Sequence, residues 1–175
     1  MINVRLVDAV PGMEELAEKT QSRFHVSATA DTCDCVLRVS TVPDVRFYRV
    51  KRARGVLVST WQSEGICTYA GLPQAAYFLT AGMLGLVQWR TLQLNPLLVE
   101  EDFLHPPDSN CLFATREYKE DYALAFDRPH ICRACLEFYR SLGTEPEVEA
   151  LLRTLRALKS MRPRMSSEYF LSPLP

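Results

Sequence analysis

Short runs of alternating apolar and polar residues open the chain and predict a set of β-strands. Residues 2–10 (INVRLVDAV) form the first run, and Pro11-Gly12 ends it. Three further runs rich in β-branched or aromatic residues follow at residues 35–41, 45–50 and 55–61. A period of two in such residues is typical of half-buried strands. The first third of the chain therefore predicts a sheet.

Two segments in the first half carry helical spacing instead. Apolar residues at 13, 16 and 17 predict a short amphipathic helix over residues 13–24. Residues 74–92, which follow Pro73, are apolar on nearly every side. A helix of that kind is buried all round, so we expect this segment to be among the most buried elements.

The last predicted helix begins at a capping box. Thr144 and Glu147 have the spacing at which the two side chains bond each other's backbone N–H groups, and Pro146 is tolerated in a first turn. Apolar residues between Val148 and Met161 then recur at helical spacing. This pattern predicts a C-terminal amphipathic helix that docks on the rest of the protein.

Together these elements predict an α/β fold in which a mixed sheet packs against the helix after Pro73. A chain of 175 residues suits one compact domain. We divide it into an α/β core (1–104), a small zinc-knuckle subdomain (105–143), the C-terminal amphipathic helix (144–164) and a tail (165–175).

A histidine and three cysteines in the second half form the main chemical motif. His105, Cys111, Cys132 and Cys135 are spaced as H-x5-C-x20-C-x2-C. Three thiolates and one imidazole are a usual ligand set for structural Zn²⁺, whereas Mg²⁺ and Ca²⁺ prefer oxygen ligands. The motif therefore predicts one structural zinc ion, with no open position for a substrate or water.

Other assignments of these residues remain open. His130, two residues before Cys132, is a rival fourth ligand, and Cys67 is a more remote candidate. All four motif residues could also be ordinary buried thiols with a surface histidine. The C-x-C pair Cys33 and Cys35 we interpret as small buried apolar residues rather than as a second metal site.

Composition and charge narrow the function classes. The chain is 47% hydrophobic and 23% charged, with a net charge of −1, which gives no bulk attraction to nucleic acids or acidic membranes. No signal peptide is expected, and the apolar run 75–87 is shorter than the roughly 20 residues that span a bilayer. We therefore expect a cytoplasmic protein whose six cysteines are reduced and which has no membrane contact.

Two further patterns concern anion binding. Residues 51–54 (KRAR) form a basic turn between two predicted strands, which we interpret as a solvated hairpin tip rather than an anion contact. The chain has only 7 glycines and no G-x-G-x-x-G motif, so the common nucleotide sites are not indicated.

The segment HPPDSNC at residues 105–111 resembles the end of the zinc-protease signature of archaemetzincins. In that family H-E-x-x-H-x-x-G-x-x-H is followed by a Cys, a second Cys five residues later and a C-x-x-C. Its histidines hold a catalytic zinc, and four cysteines hold a structural one. The resemblance covers roughly residues 56–143 and is strongest over 105–142. It implies a zincin-like fold.

The resemblance also implies which metal site is retained. The last signature histidine falls on His105, and three structural cysteines fall on Cys111, Cys132 and Cys135, while the fourth falls on Pro106. An orphaned catalytic histidine next to a lost thiolate would complete the structural site. The other two catalytic histidines fall on Asn95 and Val99, and the general-base glutamate falls on Pro96. The resemblance thus implies a pseudoprotease.

A similar pattern occurs in a set of uncharacterised bacterial proteins. They share an STWQ-like strand end, a long apolar helix, H-x5-C-[IL]-F and a C-x-x-C, which correspond here to residues 59–62, the helix after Pro73 and the segment from His105 onward. This resemblance implies a bacterial protein with a regulatory or defence role.

The favoured functional hypothesis is a non-catalytic, zinc-stabilised module for protein–protein interaction or regulation. We expect a protein partner or a homo-oligomer, and no small-molecule substrate. The expected contact elements are the helix at 145–162 and the tail at 166–175, whose Tyr169, Phe170 and Leu171 form an apolar cluster.

Two alternatives belong to other classes. A hydrolase would use the acidic run 100–102 near His105, with Ser59 or Cys67 as nucleophile, a spacing that fits no established catalytic arrangement. A nucleic-acid-binding zinc protein would use basic residues near the knuckle and the basic turn, although the charge balance disfavours it. Those basic residues are Lys51, Arg52, Arg54, Arg116, Arg128, Arg133 and Arg140.

Overall fold

The apolar alternation near the N-terminus produces five strands that join into one mixed sheet. The computed structural model describes residues 1–20, 24–29, 32–44, 47–63, 74–103, 105, 111–114, 122, 125–126 and 129–160. The strands are β1 (Ile2–Val7), β2 (Phe24–Ser27), β3 (Cys35–Ser40), β4 (Tyr48–Lys51) and β5 (Gly55–Ser59). Their order in the sheet is β2-β1-β3-β5-β4. Only β4 is antiparallel to its neighbour.

The helices of the described residues have the following bounds. They are α1 (Met13–Lys19), α2 (Gln74–Leu94), α3 (Arg133–Ser141) and α4 (Glu145–Ser160), and a 3₁₀ turn covers Glu100–Phe103. The α/β class and the mixed sheet agree with the sequence prediction. In the described part of the chain, no helix has both the length and the apolarity that crossing a membrane requires.

Among the described residues, helices cover one face of the sheet. Val4, Leu37 and Val58 point to this face and are fully buried under α1 and α2. The alternate positions, including Arg5 and Arg49, are exposed on the other face. Parallel strands that are covered on both faces are usually apolar throughout. Here the strands alternate between apolar and polar residues, because only the apolar positions face the helices.

Helix α2 lies at the centre of the protein. Seventeen of its 21 residues are buried, because α2 packs against the sheet on one side and against α4 on another. Gly85 permits the close approach to the sheet, since a Cβ atom there would overlap Val56 of β5 and lie 3.2 Å from Tyr48. The prediction of a helix buried all round is therefore confirmed.

The C-terminal region contains one helix that the pattern predicted and one that it did not. The apolar stripe of α4, including Val148, Leu151 and Leu155, is buried against α2 and α3. Helix α3 lies inside the segment assigned to the zinc knuckle. It was missed because its nine residues (RACLEFYRS) overlap the cysteine motif, although Cys135 and Tyr139 have the i, i+4 spacing of a buried helix face.

Thr144 directly precedes α4, at the predicted cap position, and it also makes tertiary contacts. The Thr144 hydroxyl bonds the Thr91 hydroxyl at 2.9 Å and the Tyr139 carbonyl at 3.3 Å. The Thr144 N–H also donates to the Tyr139 carbonyl, at 2.9 Å. The Thr144 carbonyl accepts from the N–H groups of Glu147 and Val148 in the first turn of α4. Thr144 therefore joins α2, α3 and α4, and the reciprocal side-chain bonds of the capping box stay a prediction.

The predicted helix over residues 13–24 is wrong at its C-terminal end. Helix α1 stops at Lys19, and the Thr20 hydroxyl donates to the carbonyl of Leu16 at 2.8 Å. Phe24 instead begins β2, a four-residue strand whose Phe24 and Val26 are buried. Such a short strand is stabilised by pairing with β1, which the local pattern does not reveal.

The basic turn between β4 and β5 contains an unexpected structural residue. The Arg52 guanidinium donates to the carbonyl of Leu92 and, at 2.7 Å, to that of Leu98. The Arg52 carbonyl accepts hydrogen bonds from the side chains of Trp89 (3.2 Å) and Gln93 (2.7 Å). Arg52 thus binds the negative end of the α2 dipole. The interpretation as a solvated tip is wrong for Arg52, while Lys51 and Arg54 are exposed.

Arg52→Ala is expected to lower the free energy of unfolding by about 2 kcal/mol, because hydrogen bonds from a charged donor contribute about 1.5–3 kcal/mol. Arg54→Ala is the matched control, since Arg54 is exposed two residues away, and it should change the stability by less than about 0.5 kcal/mol. Urea denaturation of both variants makes the comparison. Equal midpoints would show that the Arg52 contacts contribute nothing.

Candidate metal centre

The structure brings the four motif residues together. One ligand atom from each of His105, Cys111, Cys132 and Cys135 lies within 4.8 Å of all the others. His105 follows the 3₁₀ turn, and Cys111 opens a turn over residues 111–114. The cluster could bind one metal ion. It is also the one group of three or more such side chains among the described residues.

The C-x-x-C pair is built on the first turn of α3. Cys132 is the N-cap residue, with an extended backbone (φ −67°, ψ 158°), and its sulfur accepts from the Cys135 N–H at 3.4 Å. The first turn of α3 therefore places the two sulfurs side by side, where both can reach one metal ion.

Cys111 and Cys135 share a hydrogen bond within the cluster. A hydrogen bond from the Cys135 thiol lowers the pKa of Cys111 to about 5, assisted by the N–H groups of Cys132 and Phe113 and opposed by burial. The same hydrogen bond, together with burial, raises the pKa of Cys135. Within this pair Cys135 is the hydrogen-bond donor and Cys111 the acceptor. A metal cation at this point would replace that proton and hold both sulfurs.

The position of His105 distinguishes it from its rivals. The Nε2 atom of His105 lies 3.1 Å from the Cys132 sulfur. In a tetrahedral zinc site with bonds of about 2.0–2.3 Å, neighbouring ligand atoms are about 3.6–3.8 Å apart. The distance between the His105 Nε2 and Cys132 sulfur atoms therefore has to increase only slightly for the ion to bind. His130 is exposed, and its carbonyl accepts from the Leu112 N–H at 2.8 Å. Cys67 lies outside the described residues.

Buried aromatic residues pack next to the metal cluster. Tyr139 follows Cys135 by one helical turn and is buried, and its ring centre lies 4.5 Å from that of Phe113. Gln88 of α2 hydrogen-bonds to the phenols of Tyr139 and Tyr48, and burial raises the pKa of both phenols. These residues join the metal centre to α2 and β4.

Sequence reasoning did not identify this support. The signal that could have done so is the spacing, because Phe113 lies two residues after Cys111 and Tyr139 four residues after Cys135. On a helix, an aromatic residue four positions after a ligand is expected on the same face as that ligand, as Tyr139 is relative to Cys135. Gln88 gives no comparable signal within the apolar run of α2.

Cys33 and Cys35 do not belong to this site. Burial raises the pKa of the Cys35 thiol to about 12, as expected for a small apolar core residue. The Cys33 sulfur is half-buried and accepts from the Arg5 guanidinium at 3.7 Å. Within the described residues, neither cysteine joins a group that could hold a metal ion.

The residues proposed for a hydrolase have other contacts. The Ser59 hydroxyl is buried and lies 3.5 Å from the carbonyl oxygens of both Val42 and Asp44. The Asp102 carboxylate accepts from the Val99 N–H at 2.7 Å. The side chains of Glu100 and Glu101, like Cys67, lie outside the described residues.

Several basic residues near the motif form ion pairs within the chain. Arg133 pairs with Glu137 at 2.7 Å, and Arg140 pairs with Glu145. The hydrogen bond to Glu145 raises the pKa of Arg140. Arg116 and Arg128 lie outside the described residues.

No family, curated protein or solved structure matches this chain. The arrangement of its own residues therefore carries the functional argument. The donor set at the metal centre, three sulfurs and one imidazole nitrogen, is the feature with the most specific chemistry.

Proposed function

We propose that the cluster holds one structural Zn²⁺ and that the chain is a non-catalytic, zinc-stabilised module that binds another protein. The observation that carries this proposal is the completeness of the donor set, since four ligand atoms converge. Four protein ligands fill a tetrahedral zinc shell, whereas catalytic sites keep one position open. A catalytic zinc ion lowers the pKa of a bound water molecule through its positive charge, and three thiolate ligands would neutralise that charge.

The backbone after α2 supports the absence of a peptidase site. A zinc-binding H-E-x-x-H motif needs both histidines on one face of a helix. The positions that correspond to them, Asn95 and Val99, follow the last residue of α2 and are not helical. The Asn95 amide donates to the carbonyls of Thr91 (3.0 Å) and Leu142 (3.2 Å), which serves the packing of helix ends. A zincin-like origin remains part of this proposal.

An exposed apolar segment supports a protein partner. Leu94, Leu97 and Val99 are exposed, and Leu97 is 98% accessible. Leu94 ends α2, and Leu97 and Val99 lie in the segment that connects α2 to the 3₁₀ turn before His105. Clustered exposed apolar residues commonly mark interaction surfaces. The apolar stripe of α4 is already buried within the chain, and the tail lies outside the described residues.

The catalytic part of the proposal is tested by a peptidase assay. The zinc-loaded full chain is incubated with unfolded protein and short peptide substrates, with and without a chelator. We expect no hydrolysis in either condition. Hydrolysis that disappears with the chelator and returns with zinc would contradict the proposal.

The partner is tested by light scattering and by pull-down, using the full chain, Leu97→Asp and a chain that ends at Arg164. We expect the wild type to self-associate or retain a partner, and Leu97→Asp to weaken that association. Loss only on truncation would assign the contact to the tail. Equal mass and equal retention for all three proteins would exclude both surfaces.

His105→Ala is expected to weaken zinc binding by more than about 100-fold, because even the loss of an outer partner of a ligand costs about 10–100-fold. His130→Ala should leave zinc binding unchanged, since that side chain is exposed and lies outside the cluster. Competition with a coloured chelator measures both affinities. The reverse result would assign the fourth ligand to His130.

A further inference from the structure

A cleft of about 410 Å³ opens at the carboxyl ends of the parallel strands, in a region without an assigned role. Residues that follow β1, β3 and β5 line it, together with the start of α2, and they include Asp8, Arg38, Thr41, Thr60, Gln74 and Phe78. The metal centre contacts α2 near Gln88, about 20 Å further along that helix at 1.5 Å per residue. The two sites are therefore separate.

The topology of the sheet places this cleft where ligands bind in open α/β sheets. Strand β1 pairs with β2 on one side and with β3 on the other. The chain thus leaves β1 in one direction and later returns to its opposite side. At such a switch point the connections diverge and leave a crevice outside the carboxyl ends of the strands. The cleft lies at this crevice, between Asp8 after β1 and Ser40-Thr41 at the end of β3.

Two residues of opposite charge, Asp8 and Arg38, lie at the exposed rim of the cleft. The register of β1 and β3 pairs Val7 with Arg38, which brings Asp8 next to the Arg38 guanidinium. The Arg38 Nε and Asp8 Oδ2 atoms are 3.8 Å apart, and the side chains are 56% and 69% exposed, respectively. This distance is longer than that of an N–H···O hydrogen bond. Each group therefore keeps its hydrogen-bonding capacity for a ligand while remaining close to the other.

The inner part of the cleft is apolar. Phe78 and Val39 line it and are almost completely buried, at 1% and 3% exposure. The Thr41 and Thr60 hydroxyls lie on the polar side. Its volume is near the lower end of the roughly 300–1,000 Å³ typical of ligand sites. It suits a ligand smaller than a nucleotide, with one apolar end and one polar end.

The geometry points to a zwitterionic ligand, an α-amino acid with an apolar side chain. Its ammonium group would bind the Asp8 carboxylate, its carboxylate would bind the Arg38 guanidinium, and its side chain would extend into the cleft towards Val39 and Phe78. A simple anion such as phosphate would meet the repulsion of Asp8, and a simple amine that of Arg38. This proposal departs from the expectation that the protein has no small-molecule substrate, and it is independent of the metal.

Calorimetric titration of the zinc-loaded full chain with L-leucine tests this inference. 4-Methylpentanoate lacks the ammonium group and 3-methylbutylamine lacks the carboxylate, so both should bind at least about tenfold more weakly, because each forfeits a charge-assisted hydrogen bond. Asp8→Asn and Arg38→Gln should each weaken L-leucine binding to a similar extent. Glu15→Gln and Arg49→Gln are matched controls, since both residues form ion pairs outside the cleft, and binding should be unchanged.

The outcomes separate the possibilities. No binding of L-leucine by the folded wild type, or equal binding of L-leucine and 4-methylpentanoate, would overturn the inference. Displacement of L-leucine by millimolar inorganic phosphate would also overturn it and identify an anion site. Amide chemical-shift changes at Thr41 and Thr60 on addition of L-leucine would support it, and they would be lost in Asp8→Asn.

Discussion

Cys135→Ser is expected to release the proposed zinc ion and to destabilise the second half of the protein severely. A serine hydroxyl does not supply the thiolate that the ion requires. Cys135 is buried beside Tyr139 in α3, so the ligand is also part of the core. Binding of structural zinc contributes on the order of 10 kcal/mol of apparent free energy. Most of that stabilisation should therefore disappear, as measured by metal content and urea denaturation.

Cys33→Ser provides the matched control, because Cys33 is a half-buried thiol outside the cluster. It should retain one zinc per chain and nearly wild-type stability. A chelator should destabilise the wild type and Cys33→Ser alike but have little further effect on Cys135→Ser. A wild type that keeps its full unfolding midpoint in excess chelator would rule out a structural metal.

The dependence on metal should be strongest at α3. A nine-residue helix is too short to be stable alone, because isolated helices shorter than about 12–15 residues are marginal in water. Its N-terminus is fixed by Cys132 and Cys135, and Tyr139 connects it to Gln88 of α2. The sheet and α2 have their own apolar contacts, so we expect them to outlast α3 when zinc is removed.

Patterns within single segments were sufficient to predict much of the fold. Strand alternation predicted four of the five strands, and the uniformly apolar run at 74–92 predicted α2. In each case the apolar pattern of one continuous segment shows which of its residues are buried. The four-residue β2 was missed because its stability comes from pairing with β1. Arg52 was misinterpreted because its acceptors at Leu92 and Leu98 are about forty residues away in the chain.

The two candidate sites differ in how far the sequence reveals them. The spacing of the cysteines made the metal centre visible, and the structure brings together His105, Cys111, Cys132 and Cys135. Their role as zinc ligands remains a prediction. The cleft left no motif, since Asp8 and Arg38 become neighbours only through the parallel register of β1 and β3. A site whose residues are brought together only by strand pairing leaves no motif in the sequence.

Gly55→Ala is expected to be the most damaging single-methyl change in the sheet. Gly55 begins β5 with φ at 97°, a conformation that L side chains rarely adopt. An added Cβ would overlap the carbonyl oxygen of Val36 and lie 2.9 Å from the Cys35 sulfur. Backbone strain alone costs about 1–3 kcal/mol. With the overlap added, we expect a loss above about 4 kcal/mol, in the range reserved for severe defects.

Comparison with Gly143→Ala separates the steric overlap from the backbone strain in the stability lost by Gly55→Ala. Gly143 also has a positive φ, 75°, but no atom lies within 4 Å of a Cβ placed there. It should therefore cost only about 1–2 kcal/mol of left-handed strain. Urea denaturation of both variants gives the difference, which we attribute to the contact between β5 and the backbone of β3. Equal losses would mean that β3 and β5 can separate to admit a methyl group, and would contradict the tight parallel pairing that holds the centre of the sheet.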